Sequence, residues 1–160
     1  MRRTINERGK FKSLISPALF NSENICDLLL GEDAKKEGSD KLVKFKEHVK
    51  SHLFIDETIK ETGSYIFYDV KIPYIHSHTK KCQILCYAIT HRDILDDGYF
   101  KEGYYGNRAD ILAEFIEECI LSEDNIKKFG IGDITLDSLD IYNSKDFYGS
   151  IMLFSTENFR

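Results

Sequence analysis

Apolar and polar positions change their period several times along the chain, and each change marks an element. Over residues 108–120, Ile111, Leu112, Phe115, Ile116, Cys119 and Ile120 recur at i, i+1, i+4, i+5, i+8 and i+9. That is one face of a helix with about 3.6 residues per turn. Glu114, Glu117 and Glu118 fall on the other face. Asn107 is a natural N-cap, because its side-chain oxygen can accept an unpaired backbone N–H, and Asp110 completes a capping-box-like start.

Upstream, "NSENICDLLLGE" predicts a short helix capped by Asn21 or Ser22 and ended by Gly31. The polar run "EDAKKEGSD" reads as an exposed loop. Asp40 then caps a second helix through about Leu53, with Leu42, Phe45, Val49 and Leu53 inward. From Gly63 the period shortens. "SYIFYDVKIPYI" and "KKCQILCYAITHR" are rich in aromatic and β-branched residues and predict an antiparallel pair turning at "HSHT". "DILDDGYFKEGYYGN" is a loop that delivers the chain to helix 108–120. "GDITLDSLDIYN" and "SIMLFST", joined by the turn "SKDFYG", form a last hairpin. The order is helix, helix, hairpin, helix, hairpin. It predicts an α+β fold: a small, mainly antiparallel β-sheet packed with about three α-helices.

The first 20 residues fit no such pattern. Arg2, Arg3, Arg8, Lys10 and Lys12 stand against Glu7 alone, with a short apolar stretch around Pro17. The segment is expected to be a basic N-terminal arm on a single α+β domain of residues 21–160. At 160 residues the chain can bury a sizeable core. No stretch reaches the roughly 18 to 20 apolar residues of a membrane span, and the N-terminus lacks the apolar run of a signal peptide. The chain is therefore expected in a cytoplasm and away from membranes.

Charge sharpens the picture. Residues 1–60 carry 12 Lys+Arg against 10 Asp+Glu, and residues 61–160 carry 10 against 17, for a net −5. So acidic a body argues against a general nucleic-acid binder, which needs a basic face to displace counterions.

Candidate chemistry is sparse. His76, His78, Cys82 and Cys86 contain two good zinc ligands in a His-x-His step, but the cysteine spacing is wrong for a knuckle. Cys82 and Cys86 lie on one face of a strand, roughly 13 Å apart at about 3.3 Å per residue. His48 and His52 lack the glutamate of a His-Glu-x-x-His protease. Asp93, Asp96 and Asp97 could hold a divalent ion as in a nuclease, although their acidic surroundings favour simple loop solubility. There is no nucleophile elbow and no glycine-rich phosphate loop. No catalytic residue, metal or cofactor is expected.

The aromatics say more. Tyr99, Phe100, Tyr104 and Tyr105 crowd one loop, and Tyr142, Phe147 and Tyr148 flank the last turn. Tyr and Arg anchor protein–protein contacts, so Tyr99, Tyr104, Tyr105, Arg108, Phe147 and Tyr148, with Arg2 and Arg3 of the arm, are the expected interface. The same aromatics could instead simply cover the ends of the sheet.

Three segments in this order carry a resemblance: "ILCYAITHRDI", "YGNRADILAEFIEECI" and "ITLDSLDIYNSKDFYGSIMLFSTENF". Across roughly residues 64–160 the pattern resembles small head–tail connector proteins of tailed bacteriophages, tail terminators included. It does so through the polar–Arg–x–Asp helix start and the final hairpin with its aromatic–Gly turn. The resemblance implies a non-enzymatic subunit of the virion neck, assembled in the host cytoplasm. Such subunits form a homo-oligomeric ring with other neck, connector and tail-tube proteins as partners, and DNA only passes through. An acidic subunit suits that channel, since attraction to phosphates would retard the DNA. Two other classes stay open: a small metal-dependent nuclease of mobile-element origin, and a regulatory protein that binds a host factor.

Overall fold

The computed structural model describes residues 4–55, 59, 61–75, 80–129 and 132–159. In chain order these form helices α1 (Thr4–Phe20), α2 (Glu23–Leu30) and α3 (Ser39–His48), strands β1 (Val49–Lys50), β2 (Ser64–Ile75) and β3 (Lys80–His91), helices α4 (Arg108–Ile120) and α5 (Glu123–Phe129), and strands β4 (Thr135–Asn143) and β5 (Phe147–Phe159). The fold is α+β. Its five-stranded sheet runs in the order β1-β2-β3-β5-β4. All pairings are antiparallel except that of the two-residue β1 with β2.

Two helices have the ends their sequences ask for. Ser22 caps α2 by accepting from the Ile25 N–H, and Gly31 ends it with φ 56°. Asn107 and Asp110 form a reciprocal capping box at the start of α4, a device of about 1 kcal/mol. All six apolar positions expected inward on α4 are buried, with Ala109 and Ala113 beside them.

The N-terminal segment is a correction. Residues 4–20 are no solvated arm but a helix, with Phe11, Ile15, Ala18 and Leu19 buried at helical spacing. Lys12 Nζ reaches Asp69 Oδ1 on β2 at 2.8 Å, and Phe11 packs edge-on against Phe129 at 5.6 Å. Its Arg8 and Lys10 occupy the exposed side. Arg2 and Arg3 lie outside the described residues.

The helix count is corrected as well, from about three to five among the described residues. Besides α1, the seven-residue α5 lacks the length for a periodic signal and buries only Phe129. α3 also differs from expectation. It starts after Gly38, stops at His48, and leaves Leu42 37% exposed, while Val49 turns into the sheet. His48 and His52 therefore share no helix face.

The sheet separates two apolar layers. On one face Ile66, Tyr68, Val70, Ile84, Met152 and Phe154 meet α1, α2 and α4 in the main core. On the other, Tyr65, Phe67 and Ile89 pack under Ile55, with Phe147 and Tyr142 at the margin. Burial of each fully enclosed phenylalanine, such as Phe45, Phe67, Phe115 or Phe154, stabilises the fold by about 1.5–3 kcal/mol. Gly149 is required where β5 pairs with β3, because a Cβ there would collide with the Ala88 carbonyl.

Candidate functional site

Residues 92–107 join β3 to α4 and carry Tyr99, Tyr104 and Tyr105 of the expected interface, with Arg108 directly after them. Hydrogen bonds hold this loop from several sides. Arg92 N donates to Asp146 O at 2.8 Å, and Arg108 N donates to Leu95 O at 3.0 Å. Lys101 Nζ donates to Asn24 Oδ1 at 2.6 Å. Near its end the loop turns at Gly106, φ 96°, where a Cβ would crowd the Asp110 carboxylate.

The aromatics of this loop divide into two kinds. Tyr99 and Tyr104 turn inward, pack edge-on against Phe115 with centroids 6.2 and 4.8 Å away, and are half-buried. Tyr99 donates to Asp27 Oδ2 at 2.9 Å, and Tyr104 to Glu118 at 2.8 Å. Burial first, then Asp27, raises the Tyr99 pKa, and the Glu118 carboxylate raises that of Tyr104. Both phenols stay protonated donors. Phe100 and Tyr105 turn outward, each 82% exposed.

Arg108 is corrected from a surface contact to an internal clamp. Its Nε donates to Ser64 Oγ at 3.1 Å, its Nη2 to Leu28 O at 2.6 Å, and its Cζ lies 5.4 Å from the Tyr99 ring centroid. One half-buried side chain thus joins α4 to the last turn of α2, to β2 and to the loop. The Leu28 carbonyl belongs to the negative end of α2, where a cation is favoured.

Phe147 is likewise drawn inward, edge-on to Tyr65 at 6.0 Å and to His91 at 5.2 Å. Tyr148 is half-buried opposite Thr90 and Asn143. Of the expected contact residues that are described, Tyr105 is the one presented to solvent, with Phe100 on the same loop.

Asp93 of the acidic loop comes near a histidine, whereas Asp110 is engaged in the cap of α4. Asp93 lies 3.7 Å from His91 Nδ1 and 3.8 Å from Arg92 Nε, while the Asp110 carboxylate accepts from the Asn107 N–H at 3.0 Å. Among the described residues no three His, Cys, Asp or Glu side chains gather as a metal site, and no helix is long and apolar enough to cross a membrane. His76 and His78 lie outside the described residues. Cys82 and Cys86 are buried free thiols in the main core.

The pattern reading missed one surface. β4 exposes Leu139 (59%) and Ile141 (66%) on the side facing α4. Their alternation was a visible signal, but alternation normally marks a covered face, and among the described residues both side chains stay exposed.

No curated protein matches the sequence. A family model named YomW matches residues 22–156, from the cap of α2 into β5. The chain belongs to the YomW family, whose name comes from a phage-like gene region of Bacillus and suggests a phage-associated protein.

Proposed function

We propose that this protein is a non-enzymatic structural subunit of a phage virion neck, a ring that joins the head connector to the tail tube and lets DNA pass. The observation that carries this reading is the pair Phe100 and Tyr105. Both are 82% exposed on a loop whose base is fixed by Tyr99, Tyr104 and Lys101. Aromatics bury about 150–250 Å² each, and a loop already held in place loses little entropy on docking. Phage association and a net charge of −5, which repels passing phosphate, support the same reading. The loop is the contact through which copies of the subunit, or a connector or tail-tube protein, are joined during assembly in the host cytoplasm.

Mass photometry of the purified protein, alone and with a connector or tail-tube subunit, tests it. The expected result is a closed ring or a defined mixed complex. A Phe100→Ala/Tyr105→Ala double variant should keep its melting temperature and weaken association by about 1–3 kcal/mol. A protein that stays monomeric with every neck partner, or a variant that assembles as wild type, overturns the reading and favours a regulatory binder of a host factor.

A further inference from the structure

β4 ends the sheet. Its neighbour on one side is β5, and among the described residues no strand lies on the other. A free edge presents unpaired N–H and C=O groups to any extended chain, so proteins usually blunt it with proline, lysine, a bulge or an inward charge. The opposite edge is covered by β1 at Ile66 and Phe67 and blunted beyond that short strand. Along β2, Pro73 removes a donor, the register slips between Lys71 and Tyr74, and Asp69 Oδ1 takes the Val70 N–H at 2.8 Å. β4 carries no proline or lysine, and from Ser138 to Asn143 its register with β5 is unbroken.

That open edge borders a groove. Leu139, Ser150 and Met152 form its floor, and Ala113, Glu114 and Glu117 of α4 form its wall. Ile141 shares the floor's side by the two-residue period of the strand. Glu114 and Glu117, and Asp140 on the strand's other face, make no ion pair with a described residue. An apolar edge is thus flanked by uncompensated carboxylates on both sides.

We propose that β4, over residues 138–143, is a strand-addition site for an extended segment of a different protein, one whose apolar side chains alternate with lysine or arginine. Main-chain hydrogen bonds would extend the sheet and the apolar side chains would cover Leu139 and Ile141. With the apolar side chains on the Leu139 side, the alternating cations lie on the other face and meet Asp140, while the acidic wall of Glu114 and Glu117 disfavours an acidic segment. A second copy of this chain is a poorer occupant. Pairing β4 with β4 would bring the same carboxylates together, and the β2 edge is blocked. The site is separate from the aromatic loop and does not depend on the neck assignment.

The test uses the full chain at physiological salt with three synthetic heptapeptides. The first is Lys-Val-Lys-Ile-Lys-Val-Lys, the second is the same peptide with alternate backbone amides N-methylated, and the third is Glu-Val-Glu-Ile-Glu-Val-Glu. Calorimetry should show the first binding at least about tenfold more tightly than the other two. Hydrogen exchange should show new protection within residues 138–143. Ile141→Lys should lose binding by a similar factor at an unchanged melting temperature. If that variant melts early, Ile141→Thr keeps the branched strand residue and reads the same loss. Equal binding of the N-methylated peptide would reduce the effect to bulk charge and overturn the proposal. So would no binding, protection elsewhere, or protection of 138–143 by self-association without peptide.

Discussion

Arg108 Nη2 donates to the carbonyl oxygen of Leu28 at 2.6 Å, tying the first residue of α4 to the last turn of a helix 80 residues earlier. Burial lowers the pKa of this guanidinium, and Tyr99, Asp97 and Asp27 oppose that shift; it stays charged at any ordinary pH. Hydrogen bonds to a charged group are worth about 1.5–3 kcal/mol each, and losing one partner leaves the other unsatisfied. Arg108→Ala should therefore cost about 2–4 kcal/mol in urea unfolding. Arg108→Lys should recover little of it, since an ammonium cannot span Ser64 and Leu28 as a planar fork does. A loss below about 1 kcal/mol for the alanine variant would show that the clamp carries no weight.

The docking of α1 makes a second expectation. Ile15 is buried and Ile5 is 80% exposed on the same helix. Ile15→Ala should cost about 2–5 kcal/mol, whereas Ile5→Ala should stay within about 0.5 kcal/mol. Thermal melts compare the two directly. Equal small losses would return this segment to the status of a loose arm.

Gly149→Ala tests the close pairing of β5 with β3. The added methyl meets the Ala88 carbonyl, which belongs to the central strand and cannot move away without breaking its ladder. The cost should be about 3 kcal/mol or more, at the upper end of overpacking. A variant that melted with the wild type would mean that the two strands are further apart than described.

The thiols give a pH dependence. Burial pushes Cys82 and Cys86 up to about 12, with the neighbouring Cys119 adding to Cys86, and pushes Cys119 to about 11. In the unfolded chain the ordinary value is 9.0. A raised folded pKa means the contribution is whole below the unfolded value and is lost as pH climbs from 9.0 towards 12. The urea midpoint should fall steadily over that window. At pH 8 a thiol reagent should label the native protein slowly and all four cysteines only after denaturation. Rapid labelling of the native state would show an open core.

The elements legible in the sequence are those whose signals are local. The six-residue face of α4 and its Asn107 cap lie within one short window, as do Ser22 and Gly31 around α2. α1 carried a usable signal in Phe11, Ile15, Ala18 and Leu19, but exposed Ile5 and Leu14, an internal Pro17 and the density of cations obscured it. The parallel pairing of Val49 with Ile66 is tertiary and leaves no periodic trace. The site divides along the same line. The aromatic loop was visible as a loop, but which of its rings face Phe115 depends on how α4 packs. The partners of Arg108, 44 and 80 residues away, could not be read from its neighbours.

The strand order has a consequence for synthesis. β5 lies between β3 and β4, so β4 is bound to the rest of the sheet through a strand made after it. A nascent chain that has reached residue 143 holds β4 with no neighbour to pair with. A product cut short before residue 147 would keep its helices and the β2–β3 hairpin yet lack β5 and the means to hold β4 in the sheet. Completion of β5 is therefore what fixes β4 in the sheet and closes the core over Met152 and Phe154.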